Sequence, residues 1–393
     1  MRGCGQWIAP LLILMLALAA QAADTNGMDT NYFDTNGFDL LPKDLDIPLW
    51  DKSLAVRGGI GYKDNVLLDN SGRRASPFFT SGLDVTIFRL PLNDWEFEFV
   101  GSGDDIRYWK DVGVGSEDTW VAGAKLKREL PDDWEAGVTV SYAYLDSVVD
   151  LANEQIEVVG QAAPAVVIAH IITVEPALRK DWNTNLWIET GFEGIRQYMT
   201  SPGDALWQFG PKITFGHDYG YRSAITLSYE LLDELDDTLP ETDSDGNPVG
   251  DATLAEIHQQ VELAWRHNWD EDRHWQSTTK LTYERVVDNG GGFYNFDRYA
   301  ASEKFTYRGK SWGASAQAAW VYYDYPYQVV DPTNPSDPTK WYLNGLTLDA
   351  HLEKSLFKNL KIFADYEHEN SRSDRIADAY EVNTVTGGLE WEF

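Results

Sequence analysis

Val385-Thr386-Gly387-Gly388-Leu389-Glu390-Trp391-Glu392-Phe393 closes the sequence with apolar residues at alternate positions. Side chains alternate between the two faces of a β-strand, so the apolar and polar residues of this stretch would separate onto opposite faces. The apolar face would carry Val385, Leu389, Trp391 and Phe393. Soluble proteins usually end in residues that fray, whereas this sequence ends on an aromatic residue within a strand pattern. The stretch therefore predicts an amphipathic strand that remains part of a sheet.

This ending resembles the closing strand of Gram-negative outer-membrane β-barrels, where a terminal aromatic residue forms part of the signal read by the insertion machinery. The resemblance implies that Leu389, Trp391 and Phe393 are the insertion signal. It also implies that the protein resides in the cell outer membrane of a Gram-negative bacterium, in contact with membrane lipid and lipopolysaccharide.

The beginning of the sequence has the features of a secretory signal peptide. Arg2 precedes an apolar stretch over residues 8–20, which is shorter than the roughly 20 residues of a membrane-spanning helix. Ala20-Gln21-Ala22 then supplies small residues typical of a cleavage site. We therefore expect residues 1–22 to be removed, and with them Cys4, the single cysteine of the sequence.

Composition excludes some classes of protein. The net charge of −31 excludes a nucleic-acid partner, because such binders carry a basic surface. Elsewhere in the sequence no apolar run approaches the roughly 18 residues of a transmembrane helix. The 16 Trp and 20 Tyr residues suit strands and membrane–water interfaces. Composition alone leaves a soluble acidic β-protein open as the alternative.

The sequence divides into three parts. Residues 1–22 are the expected signal peptide, and residues 23–52 are expected to form a flexible periplasmic segment. That segment contains three related pentads, Asp24 to Met28, Asp29 to Phe33 and Asp34 to Phe38, which begin with Asp-Thr-Asn. Residues 53–393 show strand alternation and are expected to form the membrane domain.

Short and long connections alternate along residues 53–393. Tight turns rich in Asn, Asp, Pro and Gly occur near residues 91–94, 131–133, 181–183, 217–220, 270–273, 309–310 and 358–359. Longer polar loops occur near residues 64–76, 109–117, 147–160, 197–204, 233–251, 288–295, 326–340 and 370–379. Outer-membrane barrels combine an even number of strands with short periplasmic turns and longer extracellular loops. The pattern predicts an all-β fold, a closed antiparallel transmembrane β-barrel of about 16 strands, within a range of 14–18.

Aromatic residues cluster beside the expected turns. They are Trp95, Trp134, Trp182, Trp207, Tyr219, Tyr221, Trp269, Trp275 and Trp312. Aromatic residues in this position form girdles at the membrane interface of β-barrels. We therefore expect these side chains to lie at the periplasmic interface.

A barrel of this size is too wide to be filled by its own side chains, so an aqueous channel is expected. The alternation predicts which charged residues line it. The pore-lining candidates are Arg57, Glu96, Glu98, Lys125, Lys127, Glu189, Lys212, Glu230, His258, Glu262, Arg266, Lys280, Glu284, Glu353, Asp365 and Glu367. Acids are in modest excess, so the charges either solvate the wall or favour cations. The alternative is a lumen plugged by an inward-folded loop or by the N-terminal segment.

Two loops carry more specific candidates. In general porins, which the topology resembles, the third loop narrows the pore; the corresponding residues here are Asp150, Glu154 and Glu157. The stretch 241–246 partly resembles a calcium loop, with Glu241, Asp243 and Asp245 as candidate ligands. Ala252 occupies the position at which that pattern has a bidentate Glu. No cofactor is expected apart from Ca²⁺ or Mg²⁺ at such acidic loops.

No catalytic constellation is recognisable, because the sequence lacks a Gly-x-Ser-x-Gly elbow and a His-Glu-x-x-His motif. The stretch Gly61-Tyr62-Lys63-Asp64-Asn65-Val66 resembles the opening of β-barrel porins associated with exopolysaccharide systems. The sequence therefore predicts a non-enzymatic channel for small solutes or for export of a surface polysaccharide, with periplasmic export components as partners in the second case. A plugged structural or binding barrel, whose acidic loops engage cations, glycans or a protein, is the alternative.

Overall fold

In the computed structural model the described residues form sixteen strands that close into one barrel. The structure describes residues 50–393 except 91–93, 111, 151–163, 202–203, 330–338 and 376–377. The expected signal peptide and residues 23–49 lie outside this part of the chain.

The strands follow one another around the barrel in chain order. They are β1 (Trp50–Lys63), β2 (Ser76–Arg89), β3 (Trp95–Tyr108), β4 (Ser116–Leu130), β5 (Trp134–Asp150), β6 (Pro164–Asp181), β7 (Leu186–Ser201), β8 (Asp204–Tyr219), β9 (Ser223–Thr242), β10 (Pro248–Asn268), β11 (Trp275–Asp288), β12 (Phe296–Arg308), β13 (Trp312–Val329), β14 (Lys340–Phe357), β15 (Leu360–Ser373) and β16 (Tyr380–Glu392). All neighbours pair antiparallel, and β1 pairs with β16 from Ala55–Glu392 to Lys63–Thr384. The closed antiparallel barrel of about 16 strands is therefore confirmed.

Closure depends on glycine where β1 meets β16. Gly59 faces Gly388, and Gly58 faces Leu389. A Cβ added to Gly388 would lie 2.3 Å from the backbone oxygen of Gly58, which is too close for any other residue. The chain then continues to its last residue, where the N–H of Phe393 donates to the carbonyl oxygen of Leu54 at 2.8 Å.

Connections of different length define the two ends of the barrel. We call the end with the connections 131–133, 182–185, 220–222, 309–311 and 358–359 the short-turn end, and the opposite end the long-loop end. The expected long loops at 197–204 and 233–251 are wrong in extent, because β7 to β10 continue through most of both. Only residues 202–203 separate β7 from β8, and 243–247 separate β9 from β10. Strand pairing therefore continues past the roughly 9–11 residues that cross a bilayer.

The outer surface of the barrel is apolar. Ile60 (57% exposed), Leu227 (48%) and Leu389 (49%) represent positions that alternate with polar inward residues on their strands. An exposed apolar face that extends around a closed sheet is the surface expected next to lipid. Exposed Trp95, Trp134, Trp182, Trp269, Trp275 and Trp312 lie towards the short-turn end. Trp207 lies near the long-loop end instead, because β8 begins there at Asp204.

Among the described residues, no helix is long and apolar enough to cross a membrane.

Candidate pore lumen and its narrow end

All sixteen pore-lining candidates lie on strands, at positions that face the interior. Cross-strand partners lie on the same face of a sheet, and Glu96 pairs with Lys127 while Glu98 pairs with Lys125. Leu126, between the two lysines, is exposed on the outer surface, so the four charged residues face the interior. On β10, His258 and Glu262 alternate with the outward residues Ile257, Val261 and Leu263. That these residues line a conducting pore stays a prediction.

The middle of the inner wall carries charged side chains that are open to solvent. Arg57 Nη1 lies 2.8 Å from Asp84 Oδ2, and Arg57 Nη2 lies 3.1 Å from Asp104 Oδ1. The Asp104 side chain is 49% exposed. On the other side of the β1–β16 seam, His351 Nδ1 lies 2.6 Å from Asp365 Oδ1, and these side chains are 40% and 42% exposed. Asp104, His351 and Asp365 therefore present exposed charges to the middle of the lumen, whereas Arg57 and Asp84 are mostly buried by their ion pair.

Towards the short-turn end, bases and acids of adjacent strands form a ladder. Lys361 Nζ lies 3.3 Å from Glu353, 3.4 Å from Glu390 and 2.6 Å from Glu392. Lys127 Nζ lies 3.2 Å from Glu135 Oε1. Cross-strand pairs of opposite charge stabilise a sheet modestly, and here they also hold the charges against the wall.

One stretch of the inner wall forms a cavity between β4 and β8. Its lining includes Lys125, Glu175, Glu189, Glu193 and Lys212. The Nζ atom of Lys212 lies 3.7 Å from Glu230 Oε1 on β9. Charges of both signs therefore meet here from several neighbouring strands.

The inner wall near the long-loop end is buried. Lys63 Nζ lies 3.2 Å from Glu117 Oε1, and their side chains are 14% and 9% exposed. His258 Nδ1 lies 3.1 Å from Glu284 Oε1, and Arg298 Nη1 lies 3.3 Å from Glu284 Oε2. The burial of Glu117, His258 and Glu284 shows that other groups cover the wall at this end.

Inward-packed apolar residues supply this cover. The first group, the β5–β10 cluster, consists of Leu145, Val149, Val167, Ala169, Ile171, Ile195, Met199, Leu206, Leu239 and Leu254 together with Phe293 and Tyr294. Phe293 and Tyr294 come from the connection between β11 and β12 and pack on inward side chains of the other strands. The second, the β11–β14 cluster, consists of Val286, Phe296, Tyr323, Tyr325, Trp341 and Leu343. The third, the β16 cluster, consists of Val66, Leu68, Val112, Val114, Val148, Tyr380 and Val382.

Hydrogen bonds hold the connection between β11 and β12 in this position. The N–H groups of Gly292 and Tyr294 each donate to the carboxylate of Asp288 at 2.8 Å. The N–H of Gly291 donates to the carbonyl oxygen of Thr242 at 2.7 Å, at the tip of the β9–β10 hairpin. The β11–β12 connection therefore packs against inward side chains at the long-loop end, which we call the narrow end of the lumen.

The other sequence-based candidates have different outcomes. Glu154 and Glu157 lie outside the described residues, and Asp150 is the last residue of β5. Glu241 belongs to β9, and Asp243 and Asp245 form the turn that follows it. The Asp243 carboxylate accepts the N–H groups of Asn247 and Asp245 at 2.9 Å, and the Asn247 bond in particular lowers the pKa of Asp243. Calcium or magnesium binding at this turn stays a prediction.

Leu389 and Trp391 are 49% and 48% exposed on the outer face, and Phe393 is 69% exposed. The rings of Trp391 and Phe393 contact each other with their centroids 6.3 Å apart. These residues lie at the short-turn end. Their role as the insertion signal stays a prediction.

Sequence reasoning missed several charged residues of the inner wall. They are Asp84, Asp104, Glu117, Glu193, Glu234, Glu256 and Arg298. The sequence places Glu234 in the expected polar loop 233–251, whereas it is fully buried on β9. Leu231 and Leu235 continue the outward register of Leu227 and Tyr229, and this spacing could have indicated that the strand extends through Glu234.

No family model and no curated protein matches the chain. Among solved structures, OccAB1 from Acinetobacter baumannii is 11% identical with a TM-score of 0.47, over 88% of this chain and 97% of that chain. The anion-selective porin from Comamonas acidovorans is 10% identical with a TM-score of 0.44, over 88% and 99%. A protein described as a bacterial polysaccharide outer membrane secretin is 11% identical with a TM-score of 0.40, over 87% and 97%. The chain is a transmembrane β-barrel. This assignment is supported by its closed sheet and its apolar outer face.

Proposed function

We propose that the protein is an outer-membrane channel for small solutes that favours cations and is narrowed at its extracellular end. The observation that carries this proposal is the row of solvent-exposed charged side chains in the middle of the lumen, including Asp104, Asp365 and Lys212. A barrel of sixteen strands has room for water in its interior. Exposed charges on a wall of this width supply a hydrated path.

The sign of the charge near the narrow end supports a preference for cations. The inward acids there are Glu117, Glu234, Asp236, Glu256, Glu284 and Asp288. The bases paired with members of this group are Lys63 and Arg298. Rings of acidic side chains raise the local cation concentration in a pore, especially where low-dielectric walls concentrate the field.

Longer loops are extracellular in bacterial outer-membrane barrels, so we assign the long-loop end to the cell exterior. In this orientation the short turns and β16 end at the periplasmic side. We further propose that residues 1–22 are cleaved during export. No described residue specifically favours the export of a surface polysaccharide, which stays a prediction from the first-strand motif.

Single-channel recording in planar bilayers tests the proposed function. We expect stable openings in KCl and, in a salt gradient, a reversal potential of the sign that cation preference produces. Silence from barrels that are correctly inserted, as judged by heat-modifiable electrophoretic mobility, would contradict the channel. A reversal potential of the opposite sign would contradict the cation preference alone.

The second candidate is a plugged structural or binding barrel. The three apolar clusters favour it, because buried side chains such as Leu206, Phe296 and Val66 fill interior space at the long-loop end. Silent wild-type barrels, together with openings after the β11–β12 connection is loosened, would support this candidate over the open channel.

A further inference from the structure

Three inward side chains of β9 and β10 meet in the buried wall beneath the β5–β10 cluster. Glu234 and Glu256 are direct cross-strand partners. His258 follows Glu256 by two positions, so both point to the same face. The candidate ligand atoms of these three residues all lie within 4.8 Å of one another.

The distances suit a small cation. His258 Nε2 lies 3.3 Å from Glu234 Oε2 and 3.9 Å from Glu256 Oε2. Tetrahedral ligands held about 2.0–2.1 Å from a zinc ion are roughly 3.3 Å apart. A small rotation of the Glu256 side chain would therefore complete a three-ligand cradle, with the remaining position open for water.

The burial of these two carboxylates requires that a proton or a cation compensates their charge. Both glutamates are fully buried, and neither carboxylate oxygen of Glu256 accepts a hydrogen bond within the described part of the chain. Carboxylates placed opposite each other repel, and a buried carboxylate without a partner is costly. The nearby guanidinium of Arg298 contacts Glu284 at 3.3 Å. Either a proton or a metal ion must compensate the Glu234–Glu256 pair.

The surroundings of His258 orient it as a metal ligand. Nδ1 lies 3.1 Å from Glu284 Oε1, and Arg298 in turn holds the other oxygen of Glu284. A carboxylate that accepts Nδ1–H leaves the Nε2 lone pair for a metal, as in many histidine metal sites. Here Nε2 faces the two glutamates, 3.3 Å from Glu234 Oε2 and 3.9 Å from Glu256 Oε2, so an ion held between them would lie within its reach. Gln208 Nε2 also donates to Glu234 Oε2, which fixes the first carboxylate.

We propose that Glu234, Glu256 and His258 form a binding site for a divalent transition-metal ion, with Zn²⁺ as the preferred occupant. One imidazole and two carboxylates are ligands that such ions accept, and the two carboxylates balance the charge of the ion. The site adjoins the inward loop, because Asp288, which holds Gly292 and Tyr294, is the cross-strand partner of Glu256. A bound ion therefore fastens β9 and β10 beneath the narrow end, whether or not the barrel conducts.

Zinc titration of the refolded barrel in detergent, after removal of metal with a chelator, tests the site directly. We expect one saturable Zn²⁺ per barrel, and we expect Mg²⁺ not to compete. His258→Ala and Glu256→Gln should each abolish this site. Glu284→Gln should weaken binding about 10- to 100-fold, because it removes the group that orients the imidazole. His351→Ala is the matched control, because His351 is also inward but pairs with Asp365 outside the cluster.

Two results would overturn the proposal: no saturable binding by the wild-type barrel, or equal affinity in the wild type and in the His258→Ala variant. In either case a shared proton would explain the buried pair. If a variant fails to refold, the zinc X-ray absorption spectrum of the wild type decides the matter. It should show only nitrogen and oxygen ligands with a single imidazole, and a spectrum of fully hydrated zinc would contradict the site.

Discussion

Lys63 on β1 and Glu117 on β4 form an ion pair across the inner wall, with Nζ 3.2 Å from Oε1 and 3.3 Å from Oε2, although β2 and β3 separate the two strands. Their side chains are 14% and 9% exposed. The pair therefore links distant parts of the sheet through the interior of the barrel.

Replacing Lys63 should destabilise the barrel strongly. Lys63→Met leaves Glu117 buried without its cation, and breaking a buried pair in this way costs about 3–5 kcal/mol. The free energy of unfolding in lipid vesicles, measured by denaturant titration, checks this value. Arg73→Met is the matched control, because the Arg73–Glu381 pair at 3.0 Å is 44% and 40% exposed. Exposed pairs contribute about 0–1 kcal/mol, so equal losses in both variants would show that the Lys63 pair is not effectively buried.

Neutralising acids in the middle of the lumen should reduce cation preference. A cation about 4 Å from one carboxylate gains about 1 kcal/mol in water, a roughly fivefold effect on its local concentration. We expect the combined Asp104→Asn and Asp365→Asn changes to move the reversal potential towards zero. The shift should be larger in 0.1 M than in 1 M KCl, because the screening length falls from about 10 Å to about 3 Å.

Asp272→Asn is the control for that experiment, because Asp272 lies in the exposed turn between β10 and β11. The reversal potential of the Asp272→Asn variant should equal that of the wild type. If the lumen variant behaves like this control, the ring of charges in the middle of the lumen does not set selectivity.

The β11–β12 connection should be sensitive to a single methyl group at Gly291. A Cβ there would lie 2.1 Å from the backbone nitrogen of Ser244, so Gly291→Ala must push the loop away from the β9–β10 hairpin. Such overpacking costs about 1–3 kcal/mol. We expect higher single-channel conductance and faster proteolysis within 289–295. Gly115→Ala is the control, because no atom lies within 4 Å of the added Cβ. Unchanged conductance in Gly291→Ala would show that this loop does not limit the pore.

The sequence predicts the membrane part of the fold well because its signal is local. Along β10, Ile257, Val261 and Leu263 alternate with polar residues, and the apolar side must face lipid whatever the neighbouring strands are. Beyond the membrane both faces of a strand can be wet. In the acidic stretch around Asp233 to Asp237 only Leu235 continues the apolar face, so the contrast is weak and this part of β9 is mistaken for a loop.

Contacts inside the lumen are less predictable because they depend on register and loop packing. Phe293 and Tyr294 follow three glycines and have no strand pattern, yet they pack against side chains of several strands. Likewise, the sequence predicts that His258 faces the lumen. Its contacts with Glu234 and Glu284 depend on the relative positions of β9, β10 and β11, which no local pattern determines.

Barrel closure should fail when a side chain is added at Gly388. The Cβ would lie 2.3 Å from the carbonyl oxygen of Gly58, and the backbones of β1 and β16 cannot separate without losing hydrogen bonds that lipid cannot replace. We expect Gly388→Ala to fold slowly and to lose the heat-modifiable band of closed barrels. Gly58→Ala is the matched control where β1 meets β16, because no atom lies within 4 Å of the Cβ that it adds. Normal folding of both variants would show that the seam tolerates a wider spacing, whereas failure of both would show that the seam requires glycine for a reason other than this contact.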